Sequence, residues 1–283
     1  MPDAFDHCEA LVRAGDKDRF LATLFAPQKY RRALYALYAF NLEVARTREQ
    51  AREPLPGEIR LQWWRDVLGG VGRGEVEANP VAAALRDVAV RYRLPPRMLA
   101  ELIDARAFDL YDEPMGSLAD LERYALRASS ALIELAARIL NDGDDPGIGD
   151  LAGHAGIAYA IAGLLRAFPI HAARGQLYLP AEVMQRYGAQ SADVFAGHAT
   201  TELRATLAEL RLRARQHLAA ARKLLDATPA AVAPALLPVA LVRPVLDRME
   251  RRSYQPFSPT DVPQWHRQWL LWRAARAGLR RMF

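Results

Sequence analysis

The sequence predicts an all-α protein. Apolar residues recur three and four positions apart through most of the chain, as in Leu34, Leu37, Tyr38 and Leu42, which is the period of a helix with one buried face. No run of β-branched residues alternates at period two, the pattern expected of half-buried strands. Clusters of glycine, proline, asparagine and aspartate interrupt the helical pattern. Together these observations favour roughly ten helices with short connections.

The interruptions show how these helices are organised along the chain. They fall at residues 53–58, 69–80, 94–96, 112–117, 141–150 and 252–263. None is long, low in complexity or flanked by a change in composition, as a linker between domains would be. The sequence therefore predicts one domain over residues 1–283, with a basic helix rich in tryptophan and arginine at about 262–283 as its last element.

Composition and charge exclude few functions. The chain has 283 residues, of which 51% are hydrophobic and 25% charged, as in soluble globular proteins. Its net charge of +5 is compatible with an anionic membrane surface or a phosphate-bearing ligand. Nucleic acid is not an expected partner, because no recognition motif accompanies the charge. We find no uncharged apolar window of about 18 residues that would predict a membrane span.

The cysteine and histidine patterns limit cofactor chemistry and location. Cys8 is the only cysteine, which excludes an intramolecular disulfide and favours a reducing compartment such as the cytoplasm. The first residues do not have the pattern of a secretory signal. The histidines have no metal-ligand spacing, and no phosphate-binding loop, dinucleotide fingerprint or nucleophile elbow occurs. No metal site is predicted from these patterns.

One candidate constellation is a row along a single helix, formed by Tyr38, Asn41, Ala45 and Glu49. Residues at this spacing share a helix face and could line a cavity together. The alternative is that Tyr38 and its aromatic neighbours Tyr35 and Phe40 belong to the core, followed by a solvated tail of arginine and glutamate. Periodicity alone favours the alternative.

A second constellation lies in the stretch from Gly163 to Pro180. One helix face would present Gly163, Ala167, His171 and Arg174, with Arg166 beside it. Guanidinium groups match phosphate oxygens, so this face could bind an anion. The alternative is that Arg166 pairs with Asp109 or Glu43, and that Pro169 kinks the helix. Spacing does not choose between the two.

The C-terminal segment predicts a cationic, aromatic amphipathic helix. Its tryptophans and arginines are Trp265, Trp269, Trp272, Arg267, Arg273, Arg276, Arg280 and Arg281. Such a helix could lie at a bilayer interface. The preferred interpretation is that the tryptophans pack on the bundle while the arginines face water.

The chain resembles the squalene/phytoene synthases, an all-α family that joins two prenyl diphosphates. The resemblance runs in family order from "RFLATLFAPQKYRRALYALYAF" through "QWWRDVL", "LIDARAFDLY" and "LERYALRASSALIELAARIL" to "GIAYAIAGLLRAFPIHAARGQLYLP". It implies a helical bundle of the isoprenoid synthase fold around a long apolar cavity. It also implies that two acidic motifs would bind Mg²⁺.

Both acidic motifs are degenerate here. The positions of the first, Asp-Asp-x-x-Asp, hold Ala45, Arg46 and Glu49, and the two acids of the second hold Ala167 and His171. Mg²⁺ takes hard oxygen ligands in near-octahedral geometry. Only Glu49 remains to supply one, so we expect no cofactor, with at most weak Mg²⁺ binding through Glu49. Without that charge stabilisation, ordinary condensation of prenyl diphosphates is not expected.

Other family positions persist and supply the remaining candidates. The anion-binding candidates are Arg46, Arg48, Arg166, His171, Arg174 and Tyr178, and the cavity-lining candidates are Tyr38, Asn41, Asp109, Tyr124 and Gly163. The pattern is most similar to a divergent branch that includes a complex I assembly factor. This resemblance implies an assembly or binding protein with respiratory-complex partners, an isoprenoid or lipid ligand, and a cytoplasmic location, peripheral on the inner face of the membrane. The alternative is a transferase or prenyl diphosphate-binding protein that uses arginine and histidine instead of Mg²⁺.

Overall fold

The computed structural model describes residues 3–51, 53–71, 75–111, 114–278 and 283. These residues form α-helices and shorter helical turns, with no β-strand among them. The α-helices are α1 Ala4–Gly15, α2 Lys17–Thr23, α3 Gln28–Ala45, α4 Thr47–Gln50, α5 Pro54–Leu68, α6 Glu75–Ala78, α7 Pro80–Arg91, α8 Pro96–Ala107, α9 Leu118–Ala125, α10 Ala131–Leu140, α11 Gly149–Ala173, α12 Ala181–Tyr187, α13 Ser191–Phe195, α14 Thr201–Leu224, α15 Ala233–Leu236, α16 Val242–Met249 and α17 Gln264–Ala277. The 3₁₀ turns are Phe108–Leu110, Leu225–Ala227, Ala230–Val232 and Leu237–Leu241, and Leu126–Ser130 is π-helical. The all-α prediction is confirmed.

Several helices begin where the sequence supplies a capping side chain. Asp3 and Ser117 form capping boxes at the starts of α1 and α9, and Asn79 caps α7 just before a proline at its first position. Each cap satisfies backbone N–H groups that a helix leaves without partners. The described helices outnumber the roughly ten expected, because short helices occupy segments that the sequence pattern assigns to connections or to longer neighbours.

The centre of the bundle is formed by two long helices and their neighbours. α11 packs mainly along α14, and α3 packs against α1, α7 and α10. α11 passes so close to the π-helical turn that a Cβ added to Gly156 would lie 2.4 Å from the Ser130 Cα. Only glycine permits this approach, since real Cβ atoms do not come that near to a backbone atom. Gly156 therefore permits the close packing of α11 against the π-helical turn.

Two apolar stretches meet length and composition criteria of a membrane span that admit up to two charged residues. They are Gly149–Ala173 and Ala230–Met249, and 56% and 67% of their most apolar 18-residue windows are buried inside the bundle. Core helices of compact proteins meet the same criteria, so the match is weak support for a span.

Pro169 lies inside α11, which continues past it to Ala173.

The C-terminal helix differs from the preferred sequence interpretation. α17 spans Gln264–Ala277 and buries Leu270, Leu271 and Ala274, whereas all three of its tryptophans are exposed. The interpretation that the tryptophans pack on the bundle is therefore wrong. The narrow buried stripe leaves them on the opposite side of the helix. Arg280 and Arg281 lie outside the described residues.

Candidate functional site

The first motif region is divided between two helices. α3 ends at Ala45, Arg46 follows its last turn, and Glu49 lies in the separate helix α4. The row predicted from Tyr38 to Glu49 along one helix is therefore broken at Arg46. Tyr38 and Asn41 are buried, with 3% and 7% of their surface exposed.

The second motif region follows the last turns of α11. Ala167 and His171 lie on this helix, and Arg174 caps its C-terminus. The Arg174 Nη1 atom donates to the Glu49 Oε1 atom at 2.8 Å, so an ion pair joins the two motif regions. Both side chains are half exposed, which limits the contribution of the pair to stability. Glu49, the one acid that remains at the motif positions, is therefore paired with Arg174.

These positions do not fit the Mg²⁺ set of the family that the chain resembles. Ala45 and Ala167 have no ligand atom, His171 offers nitrogen, and the Glu49 carboxylate is already paired with Arg174. Mg²⁺ prefers several oxygen ligands in near-octahedral geometry. Within the described parts of the chain, no group of three or more histidine, cysteine, aspartate or glutamate residues could hold a metal ion.

Beside these positions, Asp109 is the centre of a buried hydrogen-bond cluster. The hydroxyls of Tyr124 and Tyr178 donate to the Asp109 Oδ1 atom at 3.0 and 2.8 Å. The Arg106 Nη1 atom donates to Asp109 Oδ2 at 3.2 Å and to the Tyr124 hydroxyl at 2.7 Å. Asp109 is only 6% exposed. Its carboxylate therefore accepts hydrogen bonds from three protein side chains.

The electrostatics of this cluster follow from burial. Burial and the nearby Asp109 carboxylate raise the pKa of Tyr178, so its phenol remains protonated as a donor. The ring of His171 packs against that of Tyr178, with centroids 4.7 Å apart. Burial lowers the pKa of His171 and outweighs the attraction of Asp109. His171 is thus neutral near pH 7 and supplies no fixed positive charge for an anion.

Arg166 does not pair with Asp109 or Glu43, the two partners considered from the sequence. Its Nη1 atom lies 3.4 Å from Oδ2 of Asp18, a residue that is 4% exposed. Arg267 of α17 approaches the other oxygen of the same carboxylate at 3.1 Å. Glu43 pairs with Arg60 instead. Asp18 therefore joins α11 to the C-terminal helix through two guanidinium groups.

Arg19 occupies the interior between the two helices that carry the motif regions. Its guanidinium lies over the rings of Tyr38 on α3 and Tyr159 on α11, at 5.7 and 5.1 Å from their centroids. The Nη1 atom of Arg19 donates to Asp16 Oδ2 at 2.6 Å. Burial alone would lower the pKa of Arg19, but Asp16 and the phenols outweigh it and raise the pKa. Arg19 is therefore a permanently charged part of the interior.

Little space remains around this arginine. The cavity lined by Arg19, Tyr38 and Tyr159 has a volume of about 10 Å³. A neighbouring cavity, lined in part by Gly163 and Arg166, has about 40 Å³. Pockets that hold small molecules have volumes of about 300–1,000 Å³, whereas these volumes suit one or a few water molecules. Neither of these two cavities is large enough to be the long apolar cavity expected from the resemblance.

The other anion-binding candidates lie apart from these clusters. Arg46 packs over Gly15 at the end of α1, where a Cβ on that glycine would come within 2.5 Å of its Nη2 atom. Arg48 donates to the backbone carbonyl of Ala51 at 3.5 Å. The structure thus brings Asp109, Tyr124, Tyr178 and His171 together, and pairs Glu49 with Arg174 close to His171.

Sequence reasoning missed the residues that organise the interior. Arg106 stands three positions before Asp109, a spacing that predicts contact on one helical turn. Asp16, Asp18 and Arg19 form a charged run at the start of α2, where solvent exposure is the default expectation. Nothing in that run signals that it turns inward.

A partly buried histidine pair was also missed. The Nδ1 atoms of His154 and His217 lie 2.9 Å apart, and the Nε2 atom of His217 lies 3.2 Å from Glu122 Oε1. Burial lowers the pKa of His217. The three residues come from α9, α11 and α14, so no sequence spacing could have indicated them.

Comparison with known proteins decides the family. The squalene/phytoene synthase family matches residues 12–273. The chain belongs to the squalene/phytoene synthase family. A solved dehydrosqualene synthase superimposes with a TM-score of 0.82 over 97% of this chain and 95% of its own, at 19% identity. At that identity the likeness establishes the isoprenoid synthase fold and nothing further.

Two curated relatives show which named proteins the chain is similar to. "NADH dehydrogenase (ubiquinone) complex I, assembly factor 6" of Rattus norvegicus is 30% identical over 260 residues, covering 92% of this chain and 78% of the relative. Phytoene synthase 2, chloroplastic, of Solanum lycopersicum is 24% identical over 267 residues, covering 91% and 85%. The chain is thus more similar to this assembly factor than to this synthase.

Proposed function

We propose that this protein is a non-catalytic member of its family that assists assembly of respiratory complex I. The observation that carries the proposal is a charged arginine with little space around it. Arg19 lies between the two helices of the motif regions, where the adjoining cavities have only about 40 and 10 Å³. A prenyl chain would need a pocket roughly ten times larger. Binding one would require displacing a charged, paired arginine.

The loss of metal ligands supports the same conclusion. Ionising a prenyl diphosphate requires charge neutralisation of the leaving group, which the family resemblance assigns to Mg²⁺. One paired carboxylate at Glu49 does not replace the acids missing at Ala45, Ala167 and His171. Each 1.4 kcal/mol of lost transition-state stabilisation lowers the rate about tenfold, and the lost interactions are of the strongest electrostatic kind. We propose that no metal cofactor is needed.

The relationship to assembly factors supports the cellular role. A relative named complex I assembly factor 6 is 30% identical across 92% of this chain. The Asp109 and Asp18 carboxylates are bound by side chains of the protein itself. We therefore propose that the region around the motif positions is a rigid part of the scaffold. On this proposal, the partners are complex I subunits or intermediates, and the protein acts at the membrane that carries them.

A gene deletion tests the cellular role. We expect deletion to lower the amount of assembled complex I and its NADH:ubiquinone activity, and the wild-type gene to restore both. The double variant Glu49→Gln/Arg174→Gln removes the last motif carboxylate together with its partner, so it leaves no unpaired charge. We expect it to restore complex I as fully as the wild type. Normal complex I in the deletion strain would refute the proposal.

An in vitro assay tests the absence of catalysis. Purified protein is incubated with farnesyl or geranylgeranyl diphosphate and Mg²⁺, and diphosphate release is measured with a dehydrosqualene synthase as the positive control. We expect no release above the protein-free rate. Mg²⁺-dependent condensation would show that the protein is an enzyme.

The alternative of a metal-free prenyl diphosphate site has its own signature. Binding would persist in EDTA and disappear in Arg166→Ala, since Arg166 is one of the cations of the predicted anion site. The Arg166 guanidinium is already paired with Asp18, so we expect no such binding in isothermal titration. Saturable binding with these two properties would favour the alternative.

A further inference from the structure

α17 presents an aromatic face that no described part of the chain covers. Trp265, Trp269 and Trp272 are 70%, 45% and 46% exposed, and their spacing places them along one side of the helix. The opposite side, with Leu270 and Leu271, is buried against the bundle. Exposed apolar residues that form a contiguous patch mark an interaction surface, whereas single exposed ones are common on any protein.

Cationic side chains accompany these rings. The Arg273 guanidinium lies 4.8 Å from the Trp269 ring centroid, and that of Arg276 lies 4.9 Å from the Trp272 ring. The Trp265 ring stacks on His266 at 5.3 Å. Aromatic rings combined with arginines are typical of helices that lie at the headgroup level of a bilayer. We call the three tryptophans with Arg273 and Arg276 the tryptophan face.

A basic groove adjoins this face. It has a volume of about 390 Å³ and lies between α14, α16 and α17. Its arginines are Arg222, Arg243 and Arg273, and its other lining residues are Ala240, Pro244, Asp247, Leu270, Ala274 and Phe283. The negative charge of Asp247 is committed to Arg215 at 2.6 Å and lies 3.9 Å from Arg243. Three arginines against one carboxylate give the groove a net positive charge.

We propose that the tryptophan face and the basic groove together bind the surface of an anionic phospholipid bilayer. The tryptophans lie at the boundary between headgroups and acyl chains, while the groove arginines contact lipid phosphates. A second copy of the chain is a poorer occupant, because a symmetric contact would place groups of arginines against each other without counter-charge. The proposal concerns a surface distinct from the motif regions and is independent of the proposed function.

Vesicle flotation tests this proposal with the full-length protein. The vesicles are phosphatidylcholine alone, or phosphatidylcholine with about one third phosphatidylglycerol. We expect flotation only with the anionic vesicles, and a decrease at high salt, because surface attraction is screened. Each arginine near an anionic surface strengthens binding about fivefold. The triple variant Arg222→Gln/Arg243→Gln/Arg273→Gln should therefore lower the partition coefficient about 100-fold.

Two further variants separate the contributions. Replacing all three face tryptophans by alanine should lower binding at least about tenfold, through lost apolar contact. The matched control is Arg91→Gln/Arg93→Gln/Arg97→Gln, which removes the same charge from exposed arginines near α7 and α8. It should bind nearly as the wild type does. Circular dichroism checks that each variant is folded.

The following results would overturn the proposal. One is absence of wild-type flotation with anionic vesicles, and another is equal flotation with neutral ones. A third is equal weakening by the control and groove variants, which would indicate net charge rather than this surface. Light scattering distinguishes the remaining occupant: a tryptophan variant that dissociates a dimer but floats normally would show that a second copy covers the face.

Discussion

Substitution of Asp109 tests whether the hydrogen-bond cluster beside the motif positions stabilises the fold. Its carboxylate accepts hydrogen bonds from Tyr124, Tyr178 and Arg106 at 2.8 to 3.2 Å. In Asp109→Asn the carbonyl oxygen can still accept from both phenols. The amide group, however, faces the Arg106 guanidinium as one donor against another, so that guanidinium loses its counter-charge.

The magnitude follows from the burial of the pair. Removing one partner of a buried ion pair costs about 3–5 kcal/mol, and the Arg106 side chain retains 18% exposure, which favours the low end. We expect Asp109→Asn to lower the free energy of unfolding by about 3 kcal/mol. For a chain of this size that corresponds to a decrease of about 6–12 °C in Tm. Tyr178→Phe, which removes one hydrogen bond to a charged group, should cost about 1.5 kcal/mol.

Urea unfolding followed by circular dichroism measures these differences. The double variant Asp109→Asn/Arg106→Gln provides the control, since it removes both charges. We expect it to be more stable than the sum of the single changes predicts, with a coupling energy of at least about 1 kcal/mol. If Asp109→Asn is as stable as the wild type within about 0.5 kcal/mol, the carboxylate does not hold the cluster together. A role toward a ligand would then be the better explanation.

Two other predictions concern packing and pH. Gly156→Ala should lower the free energy of unfolding by about 3 kcal/mol, because its Cβ would meet the Ser130 backbone. Gly163→Ala, where an added Cβ meets nothing within 4 Å, should instead be neutral or stabilising by about 1 kcal/mol in the same urea titration. Burial depresses the pKa of His217 in the folded protein. As the pH falls, the unfolded chain therefore binds a proton at this residue at a higher pH than the folded protein does. Stability should therefore fall as the pH decreases below about 6.5, by at most about 1.4 kcal/mol per pH unit for this group. His217→Gln should flatten this dependence in thermal melts across pH 5–7, and unchanged slopes would contradict the assignment.

The sequence by itself determined the helical class and the family. Three features can be recognised in the sequence without the structure. They are apolar residues at helical spacing, capping residues such as Ser117, and the order of the family segments. The loss of the acidic motifs is equally plain, because an alanine at Ala45 or Ala167 cannot supply a metal ligand in any fold.

Only the tertiary structure decided which charges meet. Asp18 pairs with arginines of α11 and α17, and Arg19 enters the interior between Tyr38 and Tyr159. Apart from the Arg19–Tyr38 contact, they join residues more than a hundred positions apart, so no local spacing encodes them. The same applies to the exposed tryptophans of α17. Helical periodicity shows that a helix has two sides, but the shape of the bundle determines which side is buried.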